Sequence, residues 1–269
     1  MSMPDALKAL TIPDLAEMKA NDKKIVALTA YDASFARILD EAGVDLVLVG
    51  DSLGMVVQGQ PTTLPVTLSD MVYHTRCAAR GVRRAILAVD MPFASYSGPA
   101  QAIDSAARLI RAGAHMVKLE GGQKRAETVR ALVEQSIPVC GHLGLLPQSV
   151  HQVGGYLVQG KDEKAAQAIL QDAIVLQEAG ASLLVLECVP ATLAAEITAA
   201  LDIPTIGIGA GPDCSGQILV LYDMLGITPG KRPRFSRNFL QGVEDIPSAI
   251  RAYVEDVRAG RFPTSEHSF

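Results

Sequence analysis

The sequence predicts an α/β fold, a single (β/α)8 TIM barrel, and three observations carry that expectation. Eight short runs rich in Val, Ile and Leu are apolar at consecutive positions instead of alternating, as parallel strands buried on both faces require. Helical stretches separate most of these runs, which implies right-handed crossovers and a parallel sheet. One phrase also recurs, an Ala-Gly pair, an apolar run and then an acid: AGVDLVLVGD ends at Asp51, AGAHMVKLE at Glu120 and AGASLLVLE at Glu187. A chain of 269 residues suits eight such units in one barrel.

The elements follow in order. Ile12–Ala20 reads as a short helix closing one end of the barrel. Lys24–Tyr31 is the first strand, and Asp32 caps the helix Ala33–Glu41. Asp45–Gly50 is the second strand, followed by a long loop, Leu53–Leu68, and a helix over Ser69–Arg80 that opens at Ser69-Asp70. The third strand, Arg84–Val89, runs into Asp90; Pro99 then sits near the first turn of the helix Pro99–Arg111. His115–Leu119, helix Gln123–Gln135 and Pro138–His142 continue the alternation up to a second long loop, Leu143–Gly160. Glu163–Glu178, Ser182–Leu186, Ala191–Ala200, Pro204–Ile208 and Gln217–Asp223 supply the last helices and strands. No linker splits the chain, so residues 1–269 are expected to form one domain with a frayed C-terminal tail. Both long loops follow strands, and their Gly and Pro punctuation suits lids or substrate walls on the catalytic face.

Composition excludes several classes. The net charge is −5, with no Lys/Arg run and no Trp, which argues against a nucleic-acid surface. No apolar run is long enough to span a bilayer, and the first residues lack a basic patch followed by an apolar stretch, so neither a membrane span nor a secretory signal is expected. Cys77, Cys140, Cys188 and Cys214 are dispersed, as reduced cytoplasmic thiols would be.

The chemistry lies at strand ends. Asp51, Asp90 and Glu120 close three strands that are neighbours in a barrel, and active-site groups of barrels sit at those ends. Three hard oxygen ligands with room for water and substrate suit Mg²⁺; alternatively each acid caps its own loop. Glu187 ends the sixth strand beside Cys188-Val189-Pro190, where apolar neighbours would raise its pKa and make it a general base; the alternative is an acid at a helix N-terminus. Lys118 and Glu120 are two apart on one strand and share a face. Lys118 therefore reads as a charge-neutralising group, a Schiff-base nucleophile or a structural ion-pair partner. His142 ends the fifth strand, either orienting substrate and shuttling a proton or serving as a hydrogen-bonded structural His. The stretch Gly207 to Gly211 lacks the helix-opening third glycine of a dinucleotide loop. A barrel phosphate site and a close approach of backbone both stay open there.

Six motifs in order, VGDSLGMVVQG, VDMPFASY, VKLEGG, GHLGLLPQSV, LECVP and GIGAGPDCSGQILV, resemble the ketopantoate hydroxymethyltransferase family over about Lys24 to Phe239. The resemblance implies a phosphoenolpyruvate/pyruvate-type Mg²⁺ barrel acting in the cytoplasm in pantothenate synthesis, commonly as a decamer of two pentameric rings. It implies 3-methyl-2-oxobutanoate as substrate and 5,10-methylenetetrahydrofolate as one-carbon donor. Asp51, Asp90 and Glu120 would hold Mg²⁺, directly or through water. Asp51, Ser52, Asp90 and Lys118 would line the 2-oxo acid site, Glu187 would accept the proton, and His142 would assist near the substrate carboxylate or the metal. The family often has Leu, Thr and Asp where Met91, Leu146 and Ser215 stand; none of these touches the implied site. Two rivals are a Mg²⁺-dependent 2-oxo-acid C–C lyase on the same barrel, whose K-x-C-G-H type loop is missing here, and a non-enzymatic binding barrel. A Lys buried beside several acids is costly without a ligand, which disfavours the second.

Overall fold

The computed structural model describes residues 8–155, 157–228, 230 and 232–269. The expected extent, 1–269, thus includes a few residues outside the described ones. Eight parallel strands close into a barrel in sequence order: β1 (Ile25–Thr29), β2 (Leu46–Val49), β3 (Ile86–Asp90), β4 (Met116–Glu120), β5 (Val139–Gly144), β6 (Leu183–Glu187), β7 (Thr205–Ile208) and β8 (Gly216–Leu219). The β1–β8 pairing, with Ile25 opposite Gly216, seals it. Nearly every strand residue is buried, because helices cover the outside while side chains and the site fill the inside.

The helices are α1 (Ile12–Ala20), α2 (Ala33–Glu41), α3 (Leu53–Val56), α4 (Leu68–Ala79), α5 (Pro99–Arg111), α6 (Ala126–Glu134), α7 (Val150–Val153), α8 (Glu163–Glu178), α9 (Ala191–Ala200), α10 (Leu221–Met224) and α11 (Ile246–Arg258). Helix α1 plugs the end of the barrel away from the strand C-termini. Its Leu15 and Met18 are buried, and Lys19 Nζ donates to the carbonyls of Thr198, Leu201 and Ile203 at 2.8, 2.6 and 3.0 Å. Helix α4 begins one residue earlier than expected because Thr67, not Ser69, is its cap: Thr67 and Asp70 bond each other reciprocally as a capping box.

Three expectations are corrected and one helix is added. The eighth strand stops at Leu219. Thr29 Oγ1 accepts the Leu221 N–H at 3.0 Å and the chain turns there into α10. The helix expected from Gln123 begins as a 3-10 turn, Gln123–Arg125, before α6. Helix α11 has no counterpart in the sequence reading; its Tyr253 hydroxyl lies 3.0 Å from the Ala27 carbonyl and 3.1 Å from that of Gln217, straddling the β1–β8 seam. The C-terminal segment, expected to fray, is docked. The Phe269 carbonyl accepts the Ala191 N–H at 2.8 Å, at the first residue of α9. Phe262 is buried in the core and Ser268 Oγ donates to the Thr264 carbonyl at 2.9 Å.

Candidate active site

The strand register brings the charged residues together. Asp90 pairs with Lys118 across β3–β4, and Glu120 with His142 across β4–β5. Lys118 and Glu120, sharing a face, both point into the barrel, which settles the inside-or-outside question left by their spacing. The Lys118 ammonium pairs directly with the Asp90 carboxylate. Its Nζ also lies 3.5 Å from His142 Nδ1, which is 3.5 Å from Glu120 Oε1. His142 Nε2 lies 3.2 Å from Glu187 Oε2, an ion-pair distance at an angle that falls short of a hydrogen bond. Glu187 is therefore linked to the acid cluster through His142 and not isolated across the mouth.

Asp51 lies just past β2, and its backbone N–H donates to Asp90 Oδ2 at 3.0 Å. Ser52 Oγ is 2.9 Å from the Tyr31 hydroxyl. All seven expected residues, Asp51, Ser52, Asp90, Lys118, Glu120, His142 and Glu187, line one cavity of about 730 Å³.

Two residues absent from the sequence reading hold this cluster. Gln148, buried, donates from Nε2 to Asp51 Oδ2 at 2.8 Å and to the Met91 carbonyl at 3.0 Å, while its backbone N–H reaches Glu120 Oε2 at 3.0 Å. The Tyr96 hydroxyl donates to Gln148 Oε1 and lies 3.3 Å from the Glu120 backbone N–H, which donates to it. Both residues sit inside motifs that carry the family resemblance, VDMPFASY and GHLGLLPQSV. That placement was the one available signal.

Burial, and then the charges of Asp90 and Glu120, push the Asp51 carboxyl well above the usual carboxylate range. For Lys118, burial acts downward but Asp90, Glu120 and Asp51 outweigh it, so the ammonium is held protonated. For His142, burial and Lys118 act downward and the Glu120 and Glu187 carboxylates raise it to about 9. With His142 protonated, its Nδ1–H is directed at Glu120 and the nearby Lys118 is a repulsive neighbour. Cys188 lines the cavity beside Glu187, but burial and the Glu187 charge push its thiol upward, so it is not a thiolate nucleophile at neutral pH.

Three buried carboxylates face the Lys118 ammonium, with the charged His142 ring behind it, and burial together with the Asp90 and Glu120 charges disfavours the ionised Asp51 carboxyl. A hard divalent cation that takes one or two carboxylates and keeps waters matches this donor set. As they stand, no three His, Cys, Asp or Glu side chains among the described residues close around one point. Lys118 holds Asp90, and Gln148 spans Asp51 and Glu120.

Local backbone choices position Glu187. Cys188, directly after Glu187, has φ +48, a left-handed value uncommon for a residue with a side chain. Gly144 has φ +91, and a Cβ there would sit 2.2 Å from the Glu187 carbonyl oxygen, so only glycine lets β5 close behind Glu187. The GIGAG stretch is explained by close approach: a Cβ on Gly209 would lie 3.0 Å from the Phe269 ring and 3.1 Å from Phe235 Cβ.

A family model described as ketopantoate hydroxymethyltransferase matches residues 9–265. The chain is 58% identical over 262 residues to the 3-methyl-2-oxobutanoate hydroxymethyltransferase of Ralstonia nicotianae, covering 97% of this chain and 96% of that one. It is 59% identical over 261 residues, with the same coverage, to the protein of that name from Burkholderia mallei. Among solved structures, phosphonopyruvate hydrolase in complex with oxalate and Mg++ superposes with a TM-score of 0.63 at 13% identity, over 94% of this chain and 99% of that one. 2,3-Dimethylmalate lyase, a PEP mutase/isocitrate lyase superfamily member, gives a TM-score of 0.57 at 19% identity, over 80% and 82%. These two likenesses carry the barrel fold. No helix among the described residues is long and apolar enough to cross a membrane.

Proposed function

The chain belongs to the ketopantoate hydroxymethyltransferase family, and from that premise we propose that it transfers a hydroxymethyl group from 5,10-methylenetetrahydrofolate to 3-methyl-2-oxobutanoate. The products are 2-dehydropantoate and tetrahydrofolate, in the first committed step of pantothenate synthesis. The observation that carries this reading is the meeting of Glu187 with the Asp51, Asp90, Lys118 and Glu120 cluster in one cavity.

Mg²⁺ held by Asp51 and Asp90, with Glu120 directly or through water, would supply Lewis acidity at the 2-oxo and carboxylate oxygens of the substrate. Glu187 accepts the proton from C3 of the oxo acid. His142, charged and 3.2 Å away, offsets the Glu187 carboxylate. Lys118 faces the anionic substrate with a fixed positive charge, and Ser52 offers a hydroxyl beside it. The C3 carbon so activated attacks the one-carbon unit, and water completes release of the carrier.

The test is direct. The protein with Mg²⁺ and both substrates is expected to form 2-dehydropantoate, and in D₂O without folate to exchange the C3 proton of 3-methyl-2-oxobutanoate, read by NMR. Absence of both would overturn the reading. We also propose that residues 1–269 unfold as one domain and that the enzyme is a cytoplasmic homo-oligomer, a decamer on the family's pattern. A single calorimetric transition and the mass from sedimentation velocity check those two points.

A further inference from the structure

Each carboxylate of the proposed metal site already gives an oxygen to a donor of the chain itself. Asp90 Oδ2 accepts the Asp51 N–H at 3.0 Å, and its Oδ1 pairs with the Lys118 ammonium. Glu120 Oε2 accepts the Gln148 N–H at 3.0 Å. Asp51 Oδ2 accepts from Gln148 Nε2 at 2.8 Å. Asp90 and Glu120 are thus held by backbone groups and a charged lysine. The Asp51 contact alone rests on a neutral side chain, which can be replaced without altering the charge of the site.

The Gln148 amide has one orientation open to it. The Tyr96 hydroxyl accepts the Glu120 N–H at 3.3 Å, so its own proton goes to Gln148 Oε1. Nε2 is thereby turned to Asp51 and to the Met91 carbonyl at 3.0 Å, two acceptors that would repel the amide oxygen. Tyr96 is itself clamped. The Arg125 guanidinium carbon stands 4.9 Å from its ring centroid, and Arg125 Nη1 donates to its carbonyl at 3.4 Å. Gln148 is the middle residue of a 3-10 turn, Pro147–Ser149, closed by the Ser149 N–H on the Leu146 carbonyl at 2.9 Å. Both side chains are buried, which strengthens these bonds against competition from water.

We propose that Gln148, oriented by Tyr96, makes this site select Mg²⁺ over Ca²⁺ by withholding the second oxygen of Asp51. The inference rests on the Mg²⁺ reading above. Mg²⁺ is small, keeps several waters and takes one or two carboxylates, whereas Ca²⁺ takes more oxygens and accepts carboxylates in bidentate fashion. A cation clasped by both oxygens of Asp51 must approach the one that already faces a positively polarised N–H. The backbone donors set the same limit on Asp90 and Glu120. Gln148 acts here as a positioning residue, through the Asp51 carboxylate, and needs no contact with substrate. A purely architectural Gln148 is the competing reading. It predicts lower stability with an unchanged preference between the two ions.

Calorimetric titration of Mg²⁺ and of Ca²⁺ into the chelator-treated full chain, without substrate, tests this on the parent, Gln148→Met and Tyr96→Phe. Gln148→Met keeps length and volume and removes the donor; Tyr96→Phe keeps the ring and removes the proton that orients the amide. The parent is expected to bind Ca²⁺ at least tenfold more weakly than Mg²⁺. The ratio of the two Kd values should fall at least tenfold in Gln148→Met, through tighter Ca²⁺ binding, and about threefold in Tyr96→Phe. Infrared difference spectra of the Ca²⁺-loaded Gln148→Met protein should show the narrowed splitting of carboxylate stretches that marks bidentate binding, absent from the parent. A Kd ratio within twofold of the parent's in the folded variants would overturn the proposal and leave the Mg²⁺ site standing. So would a parent that binds Ca²⁺ as tightly as Mg²⁺. Should Gln148→Met fail to fold, Tyr96→Phe decides alone. A parent that binds neither ion would overturn the metal reading itself.

Discussion

His142 Nε2 stands 3.2 Å from Glu187 Oε2, and the same imidazole lies 3.5 Å from Glu120 Oε1 through its other nitrogen. One buried ring thus couples the carboxylate that would take a proton to the carboxylates that would hold a cation. Three strands, β4, β5 and β6, supply these side chains, and the β4–β5 and β5–β6 registers fix them.

Glu187→Gln keeps the shape of the side chain and removes the base. The rate of 2-dehydropantoate formation is expected to fall by about 10² or more, with C3 exchange in D₂O lost in parallel. A variant that exchanges at close to the parent rate would remove Glu187 from the role of base.

Gln148→Ala strips Asp51, the Met91 carbonyl and Tyr96 of their common partner. Buried polar groups left unpaired cost about 1–3 kcal/mol, so the denaturant midpoint should drop. Turnover should fall as well, because Asp51 loses its orientation. Unchanged Mg²⁺ dependence of the rate in this variant would mean that Gln148 braces the fold and not the acid.

Mg²⁺ should raise the melting temperature of the parent protein over that of the chelator-treated one. At 100-fold excess over Kd, binding to the folded state alone is worth about 2.7 kcal/mol. Calorimetry of Asp90→Asn should show that increment gone; an increment equal to the parent's would exclude Asp90 as a ligand.

The Thr67–Asp70 capping box gives a pH prediction. Hydrogen bonds from the Thr67 hydroxyl, then from its backbone N–H, hold the Asp70 carboxyl below its ordinary value of 3.8. A depressed folded value means the stabilisation is complete above that pH and is lost as pH falls through the folded value. Asp70→Asn should therefore cost about 1 kcal/mol at pH 7 and much less at pH 3. Urea melts at the two pH values read the difference, and equal losses at both would show that the charge is not what the cap uses.

The barrel was legible because buried parallel strands are continuous apolar runs, and their acid ends mark one face of the molecule. Asp51, Asp90, Glu120 and Glu187 were thus visible as a set, and Lys118 stood out as a charge inside an apolar strand. Gln148 and Tyr96 were not, since an uncharged side chain on a loop carries no sign that it bridges groups from three strands. Helix α11 carries a signal of its own. Asp245 caps it, Pro247 sits in its first turn, and Ile246, Ala249, Ile250, Tyr253, Val254 and Val257 repeat at helical spacing. The tail misled because its end is polar and short, and Phe269 finds its partner only once Gly209 is in place beside it.

The closed strand order has a consequence for how the catalyst comes into being. Ile25 must find Gly216 from the far end of the barrel sequence before the ring is shut, and such distant pairings form late because the intervening chain must first be ordered. The five strands β2 to β6 supply or lead into every proposed reacting side chain, so a half-barrel exposes unpaired edges and offers only a few stray carboxylates. Emergence from the unfolded state should thus be silent in catalysis until the ring closes, and returning turnover would time that closure more sharply than returning helix content.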